Sequence, residues 1–317
     1  MVDEETETRL ATTPEDLLAA LKAEMGADGF QRQLDPAHSV TYLARGPKLL
    51  VTFEKLADTL SSSETGMPLG FDFVEDKNWS LLHVATNADT WYRSDAVYAF
   101  MDEMVDEAFF ENFDQVAFYG VAMNGYAAAA FSVVAPGAAV IALCPQATMD
   151  VDRAGWDDRF PAARRLRFDT RYGYAPDMME GAGKGYILYD PNEKMDAVHA
   201  SLFQGPNVVH LPCRFFRRHI ARSMREMGFL HQVIERAADQ SLTAQEFHRL
   251  MRARRDHTRY LRNLLFHLDN AGKPWRTALL CKHVLARMSA PTFRRRMNAA
   301  VKSLKDAGTL PDWLQDV

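Results

Sequence analysis

Residues 113–146, F-D-Q-V-A-F-Y-G-V-A-M-N-G-Y-A-A-A-A-F-S-V-V-A-P-G-A-A-V-I-A-L-C-P-Q, constrain the fold more than any other part of the chain. Residues 115–119 form a short apolar run that reads as a strand, and 120–125 hold a sharp turn. The alanine-rich segment that follows favours helix as far as Val134, Pro136-Gly137 ends it, and 139–143 resume as a second strand. A strand–helix–strand unit of this length returns its second strand parallel to the first, which requires a parallel sheet covered by helices. The unbroken apolar character of 115–119 predicts an interior strand, buried on both faces.

The flanking sequence extends the same pattern. Strands are predicted over 40–43, 49–53, 80–84, 186–189 and 208–211, with helices over 96–110, 195–203 and 219–237. Arg45-Gly46-Pro47 separates the first two strands as a turn. The uneven strands and insertions favour a doubly wound, mostly parallel sheet over a barrel. Thr13-Pro14-Glu15-Asp16 is a helix start, with a capping threonine, proline at the first helical position and acids in the first turn. Three regions follow: an acidic tail and N-terminal helix over 1–39, the α/β domain over 40–240, and a helical appendage over 241–317. The appendage has helical patterns over 243–268, 275–288 and 291–304 and carries 15 Lys/Arg against 6 Asp/Glu. The stripe Tyr260, Leu261, Leu264, Leu265, Leu268 reads as packing surface, with a partner-binding face as the alternative.

Composition excludes some roles. A net charge of −5 argues against a nucleic-acid binder, whereas the basic appendage points to an acidic protein partner or anionic surface. Cys144, Cys213 and Cys281 have no metal or redox spacing, and no metal or cofactor motif is visible, as expected of a protein of the reducing cytoplasm. The acidic start Met1-Val2-Asp3-Glu4-Glu5 is unlike an export signal. The uncharged stretch 125–146 has the length of a bilayer crossing, but Pro136-Gly137 divides it into two pieces each too short to span, so no membrane span is expected.

Gly120, Val121, Ala122, Met123, Asn124 and Gly125 resemble the G-x-S-M-G-G-Y elbow of α/β-hydrolases, in which a serine at the apex of a strand-to-helix turn attacks an acyl carbon. Ala122 stands where the serine would be. Asn124 replaces a glycine, and asparagine tolerates a left-handed backbone better than most residues. The resemblance implies an acid at Asp190, in I-L-Y-D-P after a strand, and a histidine at His219, in C-R-F-F-R-R-H-I-A-R after the last one. It also implies an oxyanion hole from the backbone N–H groups of Met123 and a residue just after Phe53, such as Glu54, and a lid in the irregular segment 149–180. Arg214, Arg218 and their neighbours through Arg222 would then hold a carboxylate, phosphate or sulfate. Other readings of these residues stand beside it: Asp190 as a turn former, His219 on a solvated basic face, Asp196 and His199 as a surface pair, and Trp79, Trp91 and Tyr92 as core or rim.

Three functions follow. The first is a hydrolase-fold protein that has lost serine-esterase chemistry and binds a small acyl or anionic ligand or serves as a scaffold. The second is an active ester or acyl hydrolase using another nucleophile or an activated water. The third comes from a resemblance to chains labelled phosphoadenosine phosphosulfate reductase. That chemistry needs a glycine-rich phosphate loop and a reactive C-terminal cysteine; Ser61-Ser62-Ser63 lacks the glycines, and Cys281 lies mid-helix among apolar neighbours.

Overall fold

A computed structural model describes residues 11–314. Its eight strands are β1 (Phe30–Gln33), β2 (His38–Leu43), β3 (Lys48–Lys55), β4 (Ser80–Thr86), β5 (Gln115–Val121), β6 (Ala139–Leu143), β7 (Lys184–Tyr189) and β8 (Val208–Pro212). Every residue of β4 and β6 is buried, as expected of strands covered on both faces. The order across the sheet is β1-β2-β4-β3-β5-β6-β7-β8, and β2 alone runs against the rest. This is the doubly wound, mostly parallel sheet expected from the sequence. β5 lies between β3 and β6, in the interior position its apolar run demands.

The alanine-rich helix Met123–Phe131 shows why small side chains were needed there. Residues 127–130 are all alanine and fully buried, so the helix backbone lies close against the sheet. The helix Asp95–Asp106 shares the aromatic core on that side, which includes Phe53, Phe100, Phe118 and Phe131. At the N-terminus, Thr13 and Asp16 form a reciprocal capping box that starts the helix Pro14–Ala23.

The structure departs from the sequence reading in several elements. The sheet takes in an edge strand, β1, from the region read as tail and helix. Arg45-Gly46-Pro47 separates β2 from β3 along the chain as expected, and β4 lies between them in the sheet. Two helices, Leu56–Ser62 and Leu69–Lys77, fill the β3–β4 crossover. The single helix read over 219–237 is two, Ile220–Glu226 and Leu230–Ala238, interrupted where Gly228 takes φ 76°.

The chain divides into two compact units, residues 1–247 and 248–317. The second has its own core, in which Leu261 and Leu265 of helix Thr258–Asn270 meet Cys281 and Val284 of helix Pro274–Leu285 and Phe293, Met297 and Val301 of helix Pro291–Asp306. Residues 248–317 hold 15 Lys/Arg and 5 Asp/Glu, against 22 and 37 in residues 1–247. No helix among the described residues is long and apolar enough to cross a membrane.

Candidate functional site

The turn after β5 is the local structure from which the site is built. Ala122 takes φ 55° and ψ −121°, a backbone region that side-chain-bearing residues avoid at a cost of roughly 1–3 kcal/mol. The surroundings hold it there: Ala122 N–H donates to the Leu143 carbonyl at 2.8 Å, and its own carbonyl accepts from Tyr126 N–H at 2.9 Å. Gly120 is required because a Cβ at that position would run into the carbonyl of Asn124. The residue with left-handed φ is thus Ala122 itself. Asn124 lies in the first turn of the helix, and its Oδ1 accepts from the buried Tyr92 hydroxyl at 2.9 Å. Met123 opens that helix, so its N–H is among the first-turn donors that have no partner within the helix.

The topology puts this turn at the place where open α/β sheets bind ligands. The chain passes from β3 outward to β4, then returns across β3 to form β5 on its other side. The order therefore reverses between β3 and β5, and the crevice outside their carboxyl ends is a topological switch point. The β3–β5 ladder stops at the pair Thr52↔Tyr119, and β3 runs on to Lys55. A cavity of about 560 Å³ opens there, and Ala122, Asn124, Tyr119, Glu54, Arg218 and His219 are among its lining. A larger cavity, about 610 Å³, lies at the opposite ends of the strands beside Gln115, Pro136 and Ala138 and has no basic residue in its wall. The switch-point cavity is the candidate site.

Its charge is uneven. Lys55, Arg218, Arg222 and Arg225 line it against the carboxylates of Glu54 and Asp58. Arg222 and Arg225 stand three apart on the helix Ile220–Glu226, the spacing that brings residues to one side of a helix, and Arg218 lies in the turn before it. Arg225 is fixed by donating Nη1–H to the Ser62 carbonyl at 2.9 Å, and Arg222 pairs with Glu226 at 2.9 Å. Glu54 Oε2 accepts from the Thr59 hydroxyl at 2.8 Å, and Oε1 is shut off from solvent. Burial pushes the Glu54 carboxyl up to about 7, against the Thr59 hydrogen bond, the Arg225 charge and a backbone hydrogen bond from Leu69. Burial, with the Glu54 charge added, also raises the Tyr119 phenol above its ordinary range.

The structure brings Ala122, His219, Glu54 and Arg218 to one cavity and leaves three predicted residues, Met123, Asp190 and Arg214, outside its wall. Arg214 is exposed elsewhere on the loop after β8. Asp190, at the end of β7, is fully buried: Oδ1 accepts from the N–H and Nδ2–H of Asn192, and Oδ2 accepts from Arg217 N–H at 2.7 Å. Its carboxylate therefore fixes the loop that carries Arg218 and His219. Glu54 lies within β3, in register with Ala85, and the carboxyl group is its distinctive feature. Arg225 and Tyr119 were not singled out from the sequence; the three-residue spacing of Arg222 and Arg225 was the available signal for the first.

Asp196 and His199 are neither a surface pair nor paired with each other. Both are fully buried. His199 Nε2–H donates to Asp157 Oδ2 at 3.0 Å while its Nδ1 accepts from Ala147 N–H at 3.1 Å, which fixes the neutral tautomer. Burial lowers the His199 pKa, with Asp157 opposing. Arg159 bridges Asp157 and Asp196 at 2.7 and 2.6 Å, and Arg218 lies 3.5 Å from Asp196. Burial tends to raise Asp157, but the hydrogen bonds from Arg159 and His199 prevail and hold it at about 2. Trp79, Trp91 and Tyr92 are core residues, at most 5% exposed. Cys281 is buried and its thiol pushed up to about 12 by desolvation, the reverse of a reactive thiolate. Among the described residues no group of His, Cys, Asp and Glu could hold a metal ion.

No protein-family profile matches the chain, and no curated protein sequence does. Solved structures similar in fold include EstE1, a thermostable carboxylesterase from a metagenomic library, with 12% identity over 72% of this chain and 96% of that one (TM-score 0.43). The capsule O-acetyltransferase of Neisseria meningitidis serogroup A is similar at 11% identity, covering 68% of this chain and 99% of that one (TM-score 0.42). Est1E from Butyrivibrio proteoclasticus is similar at 11% identity, covering 69% and 99% (TM-score 0.41). At these identities the likeness concerns the fold alone.

Proposed function

We propose that this protein has given up serine-esterase chemistry and uses the elbow cavity to bind a small anionic ligand of the carboxylate or acyl type. The observation that carries the reading is a methyl group, Ala122, at the strained apex of an elbow that lines a cavity rich in arginine. Attack on an acyl carbon requires a hydroxyl or thiol at that apex, and alanine supplies none. Binding requires only what remains. Met123 follows Ala122 at the start of the helix, and a first-turn backbone donor there does not depend on the side chain at 122. Arg218 and Arg222 supply planar forks suited to carboxylate, and His219 stands at the same wall. Asp190 acts as a positioning residue for their loop.

The test is labelling with a fluorophosphonate together with p-nitrophenyl acetate turnover. The expected result is no covalent adduct and turnover no faster than that of denatured protein, with Ala122→Ser gaining a detectable adduct. Wild-type turnover abolished by His219→Ala would overturn this reading in favour of hydrolysis by an activated water. Silence of a folded Ala122→Ser variant would reduce the triad likeness to topology.

A further inference from the structure

We propose that the elbow cavity selects a monocarboxylate with an apolar body, and that Arg218, held in place by Phe160 and Asp196, is the residue that reads the carboxylate. This rests on the anion-binding reading above and names both the class of ligand and the residue that sets it.

Lys55, Arg218, Arg222 and Arg225 line the cavity, and all but Arg218 are engaged by hydrogen bonds. Lys55 Nζ–H donates to Asp89 at 2.6 Å, Arg222 Nε–H to Glu226 at 2.9 Å and Arg225 Nη1–H to the Ser62 carbonyl at 2.9 Å. Arg218 makes no hydrogen bond among the described residues. Its ion pair with the fully buried Asp196 spans 3.5 Å and leaves its N–H donors unspent. The Arg218 side chain is 40% exposed, so a ligand oxygen can reach those donors.

Free donors alone do not select a carboxylate; a fixed fork does. The Arg218 guanidinium carbon lies over the Phe160 ring, 5.4 Å from its centroid, a contact that holds the group while its N–H edge stays open to acceptors. Phe160 is itself set edge-on against the core residue Trp91, with ring centroids 5.2 Å apart. Arg159 lies over the same ring at 5.3 Å and donates Nη1–H to Asp196 at 2.6 Å, so the carboxylate that anchors Arg218 is anchored in turn. The backbone beneath is fixed by Arg217 N–H, which donates to Asp190 at 2.7 Å. A planar fork matches two coplanar oxygens, and a carboxylate presents them. The rest of the wall sets the body of the ligand. Phe53, Leu69, Val121 and Ala122 give it an apolar side, and Asp58 in the same wall disfavours a second negative charge.

The experiment uses the full chain with benzoate as the probe, benzamide as its uncharged counterpart and sulfate as a dianion without an apolar body. Calorimetry should show benzoate bound about tenfold tighter than either of the others. Phenylglyoxal, which modifies accessible guanidinium groups, should label Arg218, as read by peptide mass spectrometry. Benzoate at about ten times its Kd should slow that labelling roughly tenfold, and Arg222 and Arg225 less. Arg218→Lys keeps the charge and loses the fork, so the preference for benzoate over benzamide should fall about tenfold. Phe160→Leu keeps the bulk and every charge, and the same preference should fall about threefold. Benzoate that leaves Arg218 as reactive as before, or protects Arg222 or Arg225 more, would overturn the inference and leave the anion-binding reading standing, as would sulfate bound tighter than benzoate. These outcomes need no variant to fold. An unchanged preference in Arg218→Lys or Phe160→Leu would overturn it as well. Failure of benzoate, acetate and sulfate all to bind the wild-type chain would overturn both readings.

Discussion

Ala122 concentrates the chemistry of the chain in one residue. Its backbone is held in the positive-φ turn after β5, while its methyl side chain offers no hydroxyl or thiol. Glycine adopts φ 55° and ψ −121° without the Cβ penalty but loses more entropy on folding. Ala122→Gly is therefore expected to stabilise the folded protein by about 1 kcal/mol, read as a higher urea midpoint at an unchanged slope. A loss of stability would mean that the methyl group's packing outweighs the strain. Sequence alone exposed this residue because the elbow is contiguous, with Gly120, Met123 and Gly125 framing it. Glu54 was legible only as a backbone donor: its side-chain environment is assembled from helices and strands far apart in sequence, and spacing carries no trace of that.

Elements were legible where their pattern was local. Long apolar strands and the capped first helix were found, whereas the four-residue β1 has little apolar signal and gains its pairing only from β2. The helix Leu69–Lys77, L-G-F-D-F-V-E-D-K, starts without a capping side chain and is short, so it lacks a start signal that can be read locally. The segment 149–180 contains short helical turns held down by specific contacts. Arg93 donates Nε–H to the Arg167 carbonyl at 2.8 Å, Nη1–H to the Arg171 carbonyl at 2.9 Å and Nη2–H to Thr170 Oγ1 at 2.7 Å. Tyr126 O–H donates to the Tyr172 carbonyl at 2.6 Å beside it. Arg93→Ala removes these three bonds and a longer one to the Tyr126 hydroxyl at 3.3 Å, so it should cost about 2–3 kcal/mol. Amide exchange should rise selectively over 166–173, while the sheet stays protected. Uniform exchange throughout would show that this segment opens only with the whole domain.

At the scale of the molecule, the division of charge is the feature that the sequence displayed most openly and the fold explains least. The strongly basic unit 248–317 follows an acidic one, and the three-helix core of the basic unit uses none of those charges. Phe266 and Trp275 are 67% and 46% exposed on its helices, beside Arg262 and Arg276. An acidic protein partner binding through this unit should lose affinity as salt rises from 50 to 300 mM, since exposed charges are screened within a Debye length of about 8–10 Å. Binding insensitive to salt would assign the arginines to solvation alone. The same division gives the chain a character its small net charge conceals. It should be retained by both anion-exchange and cation-exchange media at neutral pH, and its solubility should depend on which unit faces the surroundings rather than on its isoelectric point.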